Sequence, residues 1–237
     1  MLSYIETHIN DECNLGCAGC SHFAGIAEPM HKDIGEFTRE LERLAEIEEV
    51  KTVRILGGEP LLNPDFMEYL RIARRCFPDS EVCLVTNGIL GDRLAPHQEE
   101  LKGLRINVTI SDYHISVPDY GYDTRHDKGK MYHIALDLEG KQNEEESFRK
   151  CDISSHGWSF YQDGKLYPCC VAGCIHIFWK HFGINWGIEL GIDVFTHTAE
   201  EIEEYLSKPC ELCRFCDVDR RSYHPFRKGK GYITEWI

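Results

Sequence analysis

The spacing of apolar and polar residues changes along the chain in a regular order. In residues 3–10, Ile5, Thr7 and Ile9 alternate with Tyr4, Glu6, His8 and Asn10, the period of a strand. Between Gly35 and Glu49, Phe37, Leu41, Leu44 and Ile47 recur at helical spacing. Val53 to Leu56 predicts a second strand, and Phe66, Leu70, Ala73 and Phe77 form the stripe of a second helix. Asn63 is expected to cap that helix, with Pro64 at its first position. Glu81 to Thr86 reads as a third strand, Asp92 to Lys102 as a short helical stretch, and Leu104, Ile106, Val108 and Ile110 as the inner face of a fourth strand.

Such alternation implies parallel strands joined by right-handed crossovers, with functional groups at the strands' C-terminal ends. Each of those ends carries something unusual. The first has Cys13, Cys17 and Cys20, the second Gly57-Gly58-Glu59-Pro60, the third Thr86-Asn87-Gly88, and the fourth Ser111-Asp112. Polar positions on the first and fourth strands predict a ligand-lined concavity on one face of the sheet.

After Ser111 the pattern stops, and residues 112–148 form a variable segment with Tyr113, His114, Arg125, His126 and His133 available to a substrate. A second module is expected over 151–237, leaving a core of 1–150. Trp158 to Tyr161 and Lys165 to Tyr167 flank Asp163-Gly164 as a hairpin, and Thr198 to Glu201 is a capping box. Residues 175–192 show no clean period, and the basic stretch Arg227 to Lys230 reads as a solvated end.

Composition narrows the classes. The 237 residues carry a formal charge of -14, which argues against a nucleic-acid binder. No long apolar run or signal-peptide pattern is visible, so a cytoplasmic protein without a membrane partner is expected. Twelve cysteines are many for a reducing compartment, where clustered thiols bind metal or do chemistry. Cys76 and Cys83 read as buried small hydrophobes.

Three thiols within eight residues are one short of a closed zinc site, whereas on an iron–sulfur cluster they leave one iron open. The spacing C-x3-C-x2-C at Cys13, Cys17 and Cys20, with Gly57-Gly58-Glu59-Pro60 one strand later, resembles the radical SAM superfamily. That resemblance implies an α/β fold built as a partial (β/α) TIM-like barrel. It also implies a [4Fe-4S] cluster on the three cysteines and S-adenosyl-L-methionine (SAM), whose reductive cleavage yields a hydrogen-abstracting 5′-deoxyadenosyl radical. By the same resemblance Gly57, Gly58, Glu59, Pro60, Asn87, Asn107 and Ser111 meet the cosubstrate. The family's usual aromatic residue before the third cysteine is here Gly19, so Phe23 is expected to supply adenine stacking. A zinc site completed by His22 or His8 is the bland alternative.

Cys151, Gly164 and Cys169 give C-x12-G-x4-C, which resembles the opening of the auxiliary-cluster domains called SPASM or, when shortened, twitch. The resemblance implies a second [4Fe-4S] cluster on Cys151, Cys169, Cys210 and Cys213, with Cys216 as a spare thiol, alternative ligand or hydrogen donor. A zinc ribbon of the same four thiols is the alternative. In length and cysteine layout the chain resembles the 2-deoxy-scyllo-inosamine dehydrogenase type. It implies oxidation of a small polar substrate (a sugar, cyclitol or nucleotide sugar), with an external electron donor such as flavodoxin or ferredoxin. Because the first strand starts near residue 3, no leader-binding domain is expected. Glu6 and His8 are candidates for the general base that an oxidation requires. Peptide modification, epimerisation and a non-catalytic zinc or iron–sulfur regulatory module are the competing classes.

Overall fold

Helices and strands follow in the order the periodicity predicts: β1 (Tyr4–His8), α1 (Ile34–Ile47), β2 (Thr52–Leu56), α2 (Phe66–Cys76), β3 (Glu81–Thr86), α3 (Gln98–Gly103) and β4 (Ile106–Ser111). The computed structural model describes residues 1–111, 113, 118, 119, 121, 123–125 and 130–237, with the backbone alone at 123–125, 130, 131, 154 and 155. His114 and His126 therefore lie outside the described residues, as do Asp112 and the side chain of Arg125. Beyond β4 come β5 (Asp123–Arg125), β6 (Lys130–His133), α4 (Glu144–Lys150), α5 (Asp152–Ser155), β7 (Trp158–Gln162) and β8 (Lys165–Tyr167). They are followed by α6 (Cys170–Phe182), β9 (Ile192–Asp193), α7 (Ala199–Leu206) and β10 (Ser222–Pro225).

One sheet of eight strands holds the order β5-β4-β3-β2-β1-β7-β8-β9. Strands β5 to β1 and β7 run parallel, and β8 and β9 add antiparallel to the edge. The fold is α/β, a partial (β/α) barrel whose sheet ends at β5 and β9 among the described residues. The hairpin forms at Asp163-Gly164 as expected, but β7 pairs directly with β1. The barrel sheet thus runs across the expected boundary at residues 150/151.

Local chemistry explains the elements. Asp33 caps α1 by accepting the Glu36 N–H at 2.8 Å, and Phe37, Leu41 and Leu44 turn inward to meet Leu70 of α2 over Val53, Ile55 and Leu84. Thr198 and Glu201 close the capping box that opens α7. Asn63 does not cap α2, which begins at Phe66. Its amide reaches back to the Ile9 carbonyl at 3.0 Å and its oxygen accepts the Asp65 N–H at 2.9 Å, tying this turn to β1.

The unassigned stretch contains most of α6. Val171, Ala172, Cys174, Ile175, Ile177 and Phe178 are buried, and the polar side is only the narrow strip of His176, Lys180 and His181, too little to mark a helical period. Helix α6 organises a second core with Phe23, Phe160, Phe215 and Trp236. The basic tail is not a loose end. Ala18 N–H donates to the Arg227 carbonyl at 2.9 Å and Gly229 N–H to that of Gly16 at 2.7 Å, lacing the tail to the cysteine loop.

Candidate active site

Three strand ends close around the cysteine loop. Gly57 and Gly58 lie flat on residues 10–12, with Gly58 N–H donating to the Asn10 carbonyl at 3.0 Å and Glu59 N–H to that of Glu12 at 2.9 Å. A Cβ on Gly57 would overlap the Asn10 carbonyl oxygen, and one on Gly58 those of Asp11 and Glu12. Only glycine lets the two backbones meet.

Glu59 is fully buried, and its carboxylate accepts the Leu61 N–H at 3.0 Å, the Thr86 hydroxyl at 2.6 Å and the Asn87 N–H at 2.8 Å. Burial raises its pKa, and these three donors partly offset the rise. Glu59 thus fastens the β2 end to the β3 end, while Pro60 opens a short 3-10 turn behind it. Asn87 continues the chain of bonds, donating to Asn14 at 2.8 Å with its amide 3.7 Å from the Cys13 sulfur.

Beneath this rim opens a cavity of about 520 Å³. Cys13, Cys17, Cys20, Gly57, Gly58, Asn87 and Ser111 line it, together with Tyr4, Glu6, Arg54, His22 and Cys170. Burial pushes the Cys13 thiol up to about 11 and Cys17 further, and neighbouring thiolates raise both again. Burial works the same way on Cys20, but hydrogen bonding to His22 outweighs it and lowers its pKa. Three mutually repelling thiolates in one pocket fit a cationic metal centre with an open site, as a three-ligand [4Fe-4S] cluster provides.

The wall around Glu6 is set by register. Glu6 of β1 lies beside Arg54 of β2, whose guanidinium stands 3.5 Å from the carboxylate and donates to the Tyr4 hydroxyl at 2.6 Å. Tyr4 in turn donates to Glu6, and His22 Nε2 lies 3.4 Å from its other oxygen. Burial opposes the Glu6 charge, yet His22, Arg54 and Tyr4 together hold its pKa at about 2. Burial also opposes a charge on His22, but Cys170, Cys20 and Glu6 raise its pKa well above the ordinary value. The donor atoms of Glu6, His22 and Cys170 all lie within 4.8 Å of one another. Arg54 already stands as a cation beside Glu6, 3.5 Å from its carboxylate.

Several expected residues stand elsewhere. His8 is buried behind the cavity, its Nδ1 3.0 Å from Asp11 and its ring edge-on to Phe160 at 4.9 Å. Phe23 is fully buried between Phe178 and Trp236, 5.4 and 5.9 Å away, and cannot stack on a ligand in the cavity. Asn107 sits in the N-terminal half of β4, exposed, and donates to Glu81 at 2.9 Å. It is at the wrong end of its strand for the cosubstrate. Tyr113 lines the cavity, whereas His133 packs edge-on against His224 at 4.9 Å.

A second, tight pocket of about 20 Å³ is enclosed by Cys151, Cys169, Cys210, Cys213 and Cys216 with Arg221. Arg221 donates to the Cys151 sulfur at 2.9 Å, and the Cys210 and Cys213 sulfurs are 4.0 Å apart. Burial raises Cys216 to about 11, with Arg221 pulling the other way. Cys216 lies in this pocket and not in the main cavity, so a hydrogen-donor role at a substrate there does not fit its position. Cys174 faces neither pocket; its sulfur is 4.0 Å from His8.

The sequence pattern had not singled out Tyr4, Arg54 or the joint placement of His22 and Cys170. Arg54, a charge inside the apolar run Val53-Arg54-Ile55-Leu56, was the readable signal.

The radical SAM superfamily model matches residues 8–134, more than half of the 237 positions. The chain belongs to the radical SAM superfamily. Membership implies a [4Fe-4S] cluster and SAM, which the three-thiol rim fits. Among curated proteins, relatives named GTP 3′,8-cyclase match about half of this chain. That of Alkaliphilus oremlandii (strain OhILAs) is 30% identical over 115 residues, covering 46% of this chain and 35% of its own length. That of Peptoclostridium acidaminophilum is 33% identical over 118 residues, covering 46% of this chain and 34% of its own. The chain thus matches only about a third of these relatives' lengths. Among solved structures, BtrN in complex with AdoMet and 2-DOIA superposes with a TM-score of 0.54 at 17% identity, covering 92% of this chain and 93% of that one. That likeness is one of fold. No helix among the described residues is long and apolar enough to cross a membrane.

Proposed function

We propose that this radical SAM protein is an oxidoreductase that removes two hydrogens from a carbinol centre of a small polar substrate, a sugar, cyclitol or nucleotide sugar. The observation that carries the reading is the Glu6–His22 pair, which lines the same 520 Å³ cavity as the three cluster thiols. When bound, the cluster and SAM supply the hydrogen-abstracting radical. The chain's residues do the remaining work. Gly57, Gly58, Asn87 and Ser111 form the cosubstrate wall. His22, Arg54 and Tyr4 hold Glu6 ionised, so it accepts a hydrogen bond from a substrate hydroxyl and orients the carbinol centre toward the radical.

Cys151, Cys169, Cys210 and Cys213 are proposed to hold an auxiliary [4Fe-4S] cluster that receives the second electron, as a twitch-type module at 151–237 would provide. The 4.0 Å separation of Cys210 and Cys213 favours a second reading, because it approaches the edge of a tetrahedron built on Zn–S bonds of about 2.3 Å. Metal analysis decides between them, since zinc there cannot take the electron. Cys170 also supports epimerisation, because its thiol lines the cavity and can return a hydrogen.

The test is anaerobic turnover of the reconstituted, reduced protein with SAM and a panel of aminocyclitols, sugars, nucleotide sugars and GTP. Loss of two mass units from one substrate, matched by one 5′-deoxyadenosine, supports oxidation. Deuterium uptake from solvent without that loss establishes epimerisation instead. A cyclised GTP product without two-hydrogen loss would replace both readings.

A further inference from the structure

The cysteine loop is a wall with two sides. Cys13 and Cys17 line the main cavity and also a second cavity of about 420 Å³ that opens on the other side, among His181, Lys228, Lys230 and Trp236. Radical SAM chemistry begins with one electron delivered to the cluster, and the main cavity is the compartment for cosubstrate and substrate. The outer cavity reaches the same thiols without crossing it.

The residues around that outer face have the wrong charge for the rest of the molecule. The chain carries a formal charge of -14, yet Arg227, Lys228 and Lys230 are exposed here. Among the described residues no carboxylate lies within ion-pair distance of these three side chains. Glu235 shares the cavity, but its carboxylate is turned onto the tail, accepting the Lys230 backbone N–H at 2.7 Å. The charges are also fixed in place. The bonds from Ala18 N–H to Arg227 and from Gly229 N–H to Gly16, with the Cys17–Lys228 bridge between them, hold the tail as a strap along the loop.

We propose that this outer face, bearing Arg227, Lys228 and Lys230, is the docking surface for an acidic one-electron carrier protein. A strongly acidic chain repels an acidic carrier over most of its surface, so a local basic strap orients the encounter toward the outer cavity that Cys13 and Cys17 line. The carrier loses one electron and the cluster gains it; no atom is transferred. The inference rests on the chain being a radical SAM protein and is independent of which substrate it takes.

The experiment is stopped-flow reduction of the reconstituted protein by reduced flavodoxin, an acidic carrier, and separately by photoreduced 5-deazaflavin. The wild-type rate with flavodoxin is expected to fall steeply as salt rises. The triple variant Arg227→Glu/Lys228→Glu/Lys230→Glu is expected to lose about tenfold or more of that rate at low salt and most of its salt dependence. Its reduction by deazaflavin stays as in wild type. A salt-insensitive wild-type rate overturns the proposal without any variant, and so does a triple variant as fast as wild type. If the reversed variant loses iron, Arg227→Gln/Lys228→Gln/Lys230→Gln takes its place, and an unchanged flavodoxin rate there is equally fatal. Because no substrate is present, these outcomes stand apart from any failure of the oxidoreductase reading.

Discussion

Cys169 and Cys170 are neighbours in the chain, yet their side chains face different chambers: Cys169 the five-cysteine pocket and Cys170 the main cavity. The turn into α6, with Cys169 as its N-cap, aims the two thiols apart. A single peptide unit is the partition between the proposed auxiliary site and the proposed substrate site. Cys169→Ser is expected to remove one metal centre's worth of iron or zinc from the reconstituted protein while leaving 5′-deoxyadenosine release intact. Cys170→Ser should leave the metal content at wild-type level. Metal and sulfide analysis of the pair decides; an equal loss in both variants would refute the partition.

Glu59→Gln tests the clamp between the β2 and β3 ends. Glutamine keeps the shape but places an NH₂ against one of the N–H groups of Leu61 or Asn87. Losing a buried bond to a charged acceptor costs roughly 1.5–3 kcal/mol. The urea midpoint of the variant should fall accordingly, and SAM binding by equilibrium dialysis should weaken, because Asn87 is positioned through the same carboxylate.

Glu6→Gln removes the charged acceptor for the substrate hydroxyl and leaves Arg54 without its carboxylate. Turnover is expected to drop by about 10- to 100-fold, the worth of a hydrogen bond to a charged group, while SAM affinity stays near wild type. Substrate-independent SAM cleavage should also persist. A Glu6→Gln enzyme with full turnover removes Glu6 from the reaction.

The pH dependence of stability contains a readable contribution from His8. Burial holds its pKa below the ordinary 6.5, and the hydrogen bond to Asp11 only partly restores it. Below pH 6.5 the unfolded chain takes up a proton at His8 that the folded chain does not. The contribution is therefore complete above 6.5 and is lost as pH falls from there toward the depressed folded value. Anaerobic urea midpoints should rise less steeply over this window in His8→Gln than in wild type. Parallel curves would show that His8 is charged in the fold.

Trp236→Ala is expected to cost about 3–5 kcal/mol, the usual range for emptying a large buried site. The ring is 1% exposed, packs on Phe23, Phe178 and Phe182, and donates to the Cys20 carbonyl at 2.9 Å. Trp236→Phe retains packing but loses that bond. The midpoint should therefore recover more than the lifetime of the cluster under air, followed by its visible absorbance.

The barrel half was legible because α1 and α2 are amphipathic and β1 alternates, so period and burial point the same way. Helix α6 was not, since its polar side is a narrow strip at His176, Lys180 and His181 on an otherwise apolar helix, too little to set its phase. The cluster rim was legible from residue type alone: thiols at tight spacing and two glycines admit few other uses. The wall around Glu6 was not. Period two assigns Glu6 and His8 to one face but says nothing of depth, and α6 covers His8 while leaving Glu6 open to the cavity. The same period gave Asn107 a polar face without saying which end of β4 it occupies. His22 and Cys170 are brought together by the return of the chain through β7 and α6, a contact between distant segments that no local pattern encodes.

The contact between Trp236 and Cys20 also sets an order of events in the cell. The loop at residues 13–20 emerges early in synthesis, but the ring that seats its last thiol, and the strap that lies along it, are made more than 200 residues later. Until residue 236 has left the ribosome, the loop is held only at its first half, by the Gly58 and Glu59 N–H groups on Asn10 and Glu12 and by Asn87 on Asn14. Cys20 is thus the last of the three to be set in place.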